Sequence, residues 1–174
     1  MNDGETLLQA ERFRVVRRIW EAADGTVHSR EIIEHPGAVT ILPLLDDGCV
    51  CLIKNQRLAV GETLIELPAG TLGPEENPRL AAERELREET GYTAASIELL
   101  HEFWMSPGIL RERMYLYLAT GLTAGQQDLE ADEKIQPLVT PWQVAMDMID
   151  SGAIHDAKTM IALLYYNRVR DQQR

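Results

Sequence analysis

Residues 70–92 read GTLGPEENPRLAAERELREETGY, and the fold that the sequence predicts is built around this stretch. Asn77 is suited to the N-cap of a helix and Pro78 to its first turn. Gly91 is the kind of residue that ends a helix, because glycine adopts the left-handed conformation at little cost. The sequence therefore predicts a helix that begins at Asn77 and ends at Gly91.

The second half of this helix gathers negative charge. Glu85, Glu88 and Glu89 fall on one arc of about 100°, and two carboxylates about 5–6 Å apart repel by roughly 3 kcal/mol at an effective dielectric constant near 20. A bound cation would explain the cluster, and a set of oxygen ligands favours Mg²⁺ or Mn²⁺ over zinc. The alternative is an acidic surface on which the glutamates pair with Arg84 and Arg87.

The rest of the chain is rich in strand signals. Asp24 and Gly25 predict a hairpin turn, and the apolar run at 38–45 predicts a buried strand. Strands flanked by a few helices, without a regular βαβ repeat, indicate an α/β domain of the α+β type. Strands are predicted at 11–20, 27–34, 38–45, 49–55, 63–67, 96–104 and 113–119, and further helices at 140–149 and 156–170.

The overall composition excludes several classes of protein. The chain has 28 acidic and 17 basic residues and a net charge of −11, which argues against nucleic-acid binding. No apolar run approaches the ~20 residues of a membrane-spanning helix, so no membrane partner is expected. Cys49 and Cys51 are too close on one strand for an easy disulfide, which favours a cytoplasmic protein.

The spacing of residues 70–92 resembles the sequence signature of the Nudix hydrolases. That signature is a glycine, five residues, a glutamate, seven residues, and then R-E-apolar-x-E-E-x-G, and it is matched from Gly70 through Glu76 to Gly91. The resemblance implies hydrolysis of a pyrophosphate bond with Mg²⁺, for which Mn²⁺ could substitute. It also implies a mixed β-sheet sandwiched between helices, with an N-terminal β-hairpin extension.

The resemblance further implies roles for the matching residues. Metal ligation is implied for the carboxylates of Glu85, Glu88 and Glu89 and for the backbone carbonyl of Ala69. Arg84 matches the arginine that pairs with a glutamate of the signature and shapes the catalytic site.

An acidic segment at 128–133 matches a loop that carries a further glutamate to the metals in that family. Glu133 is the best match, and it is expected to be both catalytic and metal-ligating. The identity of the general base stays open among Glu133, Glu130 and Asp132.

The similarity extends to the ADP-ribose pyrophosphatase branch of the family. The segments HPGAVTILPLL (35–45) and VCLIKNQRLAVGETLIELPAG (50–70) resemble that branch, as does Pro107, sixteen residues after Gly91. The implied reaction converts ADP-ribose into AMP and ribose 5-phosphate, with substrate contacts from Arg57, Glu66, Pro107 and Glu112. Another nucleoside diphosphate sugar, such as GDP-mannose, is the alternative substrate. A non-catalytic domain that senses ADP-ribose is a further alternative, although the signature is unbroken.

Relatives in this branch are homodimers that exchange N-terminal strands. The resemblance therefore implies an N-terminal strand extension at 1–36 and a hydrolase domain at 37–174. Residues 11–34 are the expected exchange segment, because a lone two-stranded hairpin is marginally stable.

Overall fold

The structure is a computed structural model that describes residues 4–131 and 133–171. In this part of the chain there are eleven strands and three helices, none of the helices long and apolar enough to span a membrane. The strands are β1 (Glu5–Gln9), β2 (Arg14–Glu21), β3 (Val27–Glu34), β4 (Ala38–Pro43), β5 (Cys49–Arg57), β6 (Glu62–Glu66), β7 (Ala69–Thr71), β8 (Tyr92–Trp104), β9 (Leu110–Arg111), β10 (Arg113–Ala124) and β11 (Ile135–Pro141). The helices are α1 (Pro78–Thr90), α2 (Trp142–Asp150) and α3 (Ala157–Asp171).

The described strands are arranged in three sheets. Their orders are β1-β2-β3-β9, β7-β4-β10-β8 and β11-β5-β6. The second sheet is mixed, because β4 and β10 are parallel whereas the other neighbours are antiparallel. The predicted α+β class with a mixed sheet between helices is confirmed.

The pleat of the central strand β4 places helices on both of its faces. Every residue of this strand is buried, and successive side chains of a strand point to opposite faces. Val39 and Ile41 pack in one cluster with Leu86 of α1. Leu42 packs in another cluster with Leu163 of α3. The layers are therefore α1, the sheets, and then α2 with α3.

The capping residues define α1 as the sequence predicts. The Asn77 side chain accepts a hydrogen bond of 2.9 Å from the backbone N–H of Arg79. Gly91 adopts φ = 77°, and its N–H donates to the carbonyl of Arg87. These two caps fix where the helix begins and ends, and hence which of its residues face the sheet.

Among the strands that the sequence did not predict, β7 lines the candidate site and β11 follows the acidic loop of that site. The three residues of β7 pair with Ala38–Thr40 of β4, and β11 is the edge strand beside β5. The prediction also missed β1 and β9, which lie in the N-terminal sheet. Strands as short as β7 and β9 carry too few residues to show a hydrophobic period.

Candidate active site

A polar cleft of about 920 Å³ opens between α1, β7 and the end of β5. The turns after β1 and β5, the loop before α1 and the acidic loop before β11 form its remaining walls. The predicted site residues that line it are Arg57, Ala69, Arg84, Glu85, Glu88, Glu89, Glu130 and Glu133. The fold therefore brings most of the candidate set to one place, although Asp132 lies outside the described residues.

The turn that follows β6 presses its backbone against the carboxylates of α1. The backbone N–H of Ala69 donates a 2.8 Å hydrogen bond to Oε2 of Glu89. A Cβ atom at position 70 would overlap the Glu85 carboxylate. Glycine at position 70 leaves room for the Glu85 carboxylate, which would have to move if the residue carried a Cβ.

Burial makes Glu85 and Glu89 weaker acids than an exposed glutamate. Glu89 is 2 % exposed, and burial, opposed by the Ala69 N–H and reinforced by Glu85 and Glu133, raises its pKa to about 8. Burial also raises the pKa of Glu85, although the charge of Arg84 opposes the shift. An ionised pair at this position is costly without a nearby cation, and a divalent ion would remove that cost.

Arg84 crosslinks the outer carboxylates of the cleft. Its Nε and Nη2 donate to the Glu76 carboxylate at 3.1 and 3.2 Å. Its Nη1 donates to Glu85 at 2.7 Å and to Glu88 at 3.0 Å. Glu76 in turn accepts a 2.8 Å hydrogen bond from the N–H of Gly73. Arg84 thus holds the loop before α1 against the helix and orients two of the proposed metal ligands.

The acidic loop is fastened to the C-terminal end of α1. Nε2 of Gln127 donates to the carbonyl of Glu89 at 2.6 Å, and the N–H of Asp128 donates to the carbonyl of Glu88 at 3.0 Å. These bonds satisfy two of the carbonyl groups that a helix leaves without an internal partner. Within the loop, Glu133 accepts a 2.9 Å hydrogen bond from the N–H of Glu130.

The donor set of the cleft fits a hard divalent cation. The candidate ligands are carboxylates and one backbone carbonyl, and such oxygen donors suit Mg²⁺ or Mn²⁺. Among residues 4–131 and 133–171, no three acidic, cysteine or histidine side chains are close enough together to hold a metal ion. Arg84 donates to both Glu85 and Glu88, so its guanidinium lies beside two of the candidate ligands.

Arg57 and Glu66 form a second charged group beside the carboxylates. Nε and Nη2 of Arg57 donate to the two Glu66 oxygens at 2.9 and 2.6 Å. Arg57 lines the cleft, whereas Glu66 is fully buried behind it. Lys158, which the sequence did not single out, also contacts Glu66 at 2.6 Å.

Two predicted substrate contacts lie away from the cleft walls. Pro107 is in an exposed turn between β8 and β9. The Glu112 carboxylate lies 3.5 Å from Nδ1 of His35. The cleft wall includes Glu11 and Arg12 instead, which no local pattern in the sequence marks, because the position of the N-terminal sheet brings them there.

Comparisons with known proteins agree with this geometry. The NUDIX domain model matches residues 34–163 of the chain. The chain is 36% identical over 147 residues to an ADP-ribose pyrophosphatase of Bacillus subtilis, covering 83% of this chain and 80% of that protein. It is 33% identical over 154 residues to a GDP-mannose pyrophosphatase of Escherichia coli O1:K1, covering 82% and 80%.

A solved structure shares the fold. The crystal structure of an ADP compounds hydrolase superposes with a TM-score of 0.84 at 24% sequence identity. The superposition covers 97% of this chain and 92% of that one. The likeness therefore includes the N-terminal sheet as well as the layers around α1.

Proposed function

Because this chain belongs to the NUDIX family, we propose that it is a pyrophosphohydrolase that cleaves ADP-ribose into AMP and ribose 5-phosphate. The observation that carries the proposal is the buried pair Glu85 and Glu89, held against the Gly70 turn inside an unbroken signature. Burial raises the pKa values of both carboxylates, and such groups cluster at functional sites, where a divalent cation would offset the cost of their charges.

The residues that would hold Mg²⁺, or Mn²⁺ in its place, are Glu85, Glu88, Glu89, Glu133 and the Ala69 carbonyl. Metal ions bound there supply charge neutralisation for the diphosphate and lower the pKa of a bound water. The water oxygen attacks one phosphorus, and the bond from that phosphorus to the bridging oxygen breaks, so that two phosphate monoesters result.

The protein's own side chains orient these groups and move the proton. Arg84 orients Glu85 and Glu88, while Arg57 presents its guanidinium to the anionic diphosphate. The proton of the attacking water goes to an acidic residue of the loop, for which Glu133 and Glu130 line the cleft. Glu66, Pro107 and Glu112 stay as predicted contributors to substrate binding, with Glu66 acting through Arg57.

A second substrate is favoured by one specific observation. The relative from E. coli is a GDP-mannose pyrophosphatase, and it matches about as much of this chain as the ADP-ribose pyrophosphatase does. GDP-mannose is therefore the second candidate substrate of the same site.

A panel of nucleoside diphosphate compounds decides between these candidates. Release of phosphate monoesters would be measured with Mg²⁺ and with Mn²⁺ for ADP-ribose, GDP-mannose and other nucleoside diphosphate sugars. We expect the highest kcat/KM with ADP-ribose. Binding of ADP-ribose without turnover would indicate a sensing domain, and inactivity toward the whole panel would contradict the proposal.

We also propose a homodimer in the cytoplasm, in which residues 1–36 form the exchanged extension of a hydrolase domain at 37–174. The N-terminal sheet leaves Leu8, Ile19 and Val27 at least half exposed, and such a surface suits a partner chain. The spacing of Cys49 and Cys51, two residues apart on β5, disfavours a disulfide and so favours the cytoplasm. A monomeric mass by light scattering at micromolar concentration would contradict the dimer.

A further inference from the structure

The first turn of α3 contacts the end of β6 and the residue that follows it. Oγ1 of Thr159 accepts a 2.8 Å hydrogen bond from the N–H of Leu67, and Nζ of Lys158 contacts the adjacent Glu66. Both pairs are 92 residues apart in the sequence. Two neighbouring residues of α3 thus hold two neighbouring residues of the chain that leads to Ala69.

Lys158 is a buried lysine that is paired with two carboxylates. It is 7% exposed, and its ammonium group lies 2.6 Å from Oε2 of Glu66 and 3.0 Å from Oδ2 of Asp156. A buried lysine costs several kcal/mol of desolvation unless it is paired. Asp156 is itself held in place, because its Oδ2 accepts from both the N–H and the hydroxyl of Thr159.

Glu66 is the point where this group meets the cleft. Its Oε2 accepts from Nη2 of Arg57 and from Nζ of Lys158, each at 2.6 Å. Burial works to raise the pKa of Glu66, but the hydrogen bond from Arg57 and the charge of Lys158 outweigh it, so that the pKa is lowered. The carboxylate is therefore neutralised from two sides.

The charge balance decides what Arg57 can do. Glu66 and Asp156 carry two negative charges, and Lys158 and Arg57 carry two positive ones. If Lys158 were absent, Arg57 alone would neutralise a fully buried carboxylate, and less of its positive potential would remain for the cleft. A guanidinium has five N–H donors, and the pair with Glu66 uses Nε and Nη2, so Nη1 is outside that pair.

We propose that Lys158 is a positioning residue for substrate binding, which by sharing the buried Glu66 carboxylate keeps the Arg57 guanidinium oriented and electrostatically available for the anionic diphosphate. This inference rests on the proposed function. It separates two duties within the cleft, because the carboxylates of α1 serve the chemical step and the group behind Arg57 serves binding. Loss of Lys158 is thus expected to act on KM rather than on kcat.

The test compares K158M with K158R and with the control K54M. Lys54 is an exposed lysine on β5, and it is outside the cleft wall. With ADP-ribose and Mg²⁺, K158M is expected to raise KM about tenfold or more while kcat changes less than threefold, in line with a weakened charge-assisted contact. K158R is expected to restore KM to within about threefold, and K54M to match the wild type.

A double-mutant cycle shows whether Lys158 acts through Arg57. The KM of R57M/K158M is expected to lie within about twofold of that of R57M, because the second substitution has no guanidinium left to orient. A further tenfold rise in the double variant would overturn the proposal. So would a K158M protein whose kcat falls at constant KM, or one that equals the wild type in both.

A second pair keeps the proposal testable if K158M does not fold by circular dichroism. K158M leaves the buried Glu66 carboxylate paired with Arg57 alone, and E66Q removes the charge of that carboxylate. The KM of E66Q/K158M is therefore compared with the KM of E66Q. Equal KM values within about twofold support action through Glu66, and a further fivefold rise overturns it.

Calorimetric titration with ADP-ribose separates this inference from the proposed function. An inactive wild type that binds ADP-ribose would contradict hydrolysis, whereas an unchanged Kd in K158M would contradict the role of Lys158. A wild type that neither binds nor hydrolyses the compound would overturn both.

Discussion

Replacing Glu89 by glutamine is expected to stabilise the metal-free protein, and the gain is expected to grow with pH. Glu89 is 2 % exposed and accepts its hydrogen bond from the Ala69 backbone. The glutamine carbonyl can accept the same bond, so E89Q imitates the protonated carboxyl group and removes only the buried charge. The variant therefore isolates the energetic cost of keeping this residue ionised.

The magnitude follows from the two pKa values. Glu89 ionises near its ordinary value of 4.5 in the unfolded chain and near 8 in the folded protein, chiefly because it is buried. Between those values the folded state binds more protons, so stability falls as pH rises through this window. At about 1.4 kcal/mol for each pH unit, the cost is on the order of 4 kcal/mol at pH 8.5 and roughly 1 kcal/mol at pH 5.5.

Urea unfolding followed by circular dichroism measures this difference. Wild type and E89Q would be compared in EDTA at pH 5.5 and pH 8.5, with E83Q as the matched control. Glu83 lies on the same helix, its side chain is 45% exposed, and it pairs with Arg79 outside the cleft. A pair of this kind contributes roughly 0.3–0.5 kcal/mol, so E83Q is expected to differ little from the wild type at either pH.

Addition of Mg²⁺ is expected to narrow the stability advantage of E89Q at pH 8.5 from about 4 to roughly 1 kcal/mol. An ion present at 100 times its Kd stabilises the folded state by about 2.7 kcal/mol, and E89Q would lose most of that gain. An E89Q protein that is less stable than the wild type in EDTA at pH 8.5 would refute the reasoning. A stability gap that does not change between the two pH values would refute it as well.

Three further outcomes are expected. Changing Glu85 to glutamine is expected to lower kcat by at least about 100-fold, measured by phosphate-monoester release, whereas a loss below tenfold would remove it from the metal ligands. Changing Gly70 to alanine is expected to destabilise the protein by about 1–3 kcal/mol in thermal unfolding, since its Cβ would overlap Glu85; an unchanged Tm would show that the turn can shift. Changing Gln127 to alanine is expected to cost about 1–3 kcal/mol by leaving the Glu89 carbonyl without its partner, while the shorter amide of Q127N tests whether reach matters.

The parts of the fold that could be predicted are those that depend on residues close together in the sequence. Asn77 and Gly91 mark the ends of α1 to within a residue, because capping depends on a few neighbouring atoms. The sequence predicts no strand at 135–139 and a helix from 140, whereas β11 runs over Ile135–Pro141 and contains Pro137 and Pro141. Proline is tolerated there, since β11 is an edge strand and Pro137 is exposed.

In the candidate site, too, the residues whose partners are close in the sequence could be predicted and those whose partners are distant could not. The glutamates of α1 were predictable because one helix turn brings them together, and their spacing is visible in the sequence. The reason for Gly70 was visible only in the fold, where its backbone lies against Glu85. Lys158 gave no signal, because its partner Glu66 is 92 residues away and a single lysine in a helix has no pattern.

The distance along the chain between Glu66 and Lys158 has a consequence for how the protein is made. At ~5–20 residues per second, a ribosome needs roughly 5–20 s to add the 92 residues that separate them. For most of that interval, once Gly91 has been added, the nascent polypeptide carries the entire glutamate-rich signature without the ammonium group of Lys158. A chain that ends before α3 therefore has every carboxylate of the signature but lacks the ammonium group that shares Glu66 with Arg57.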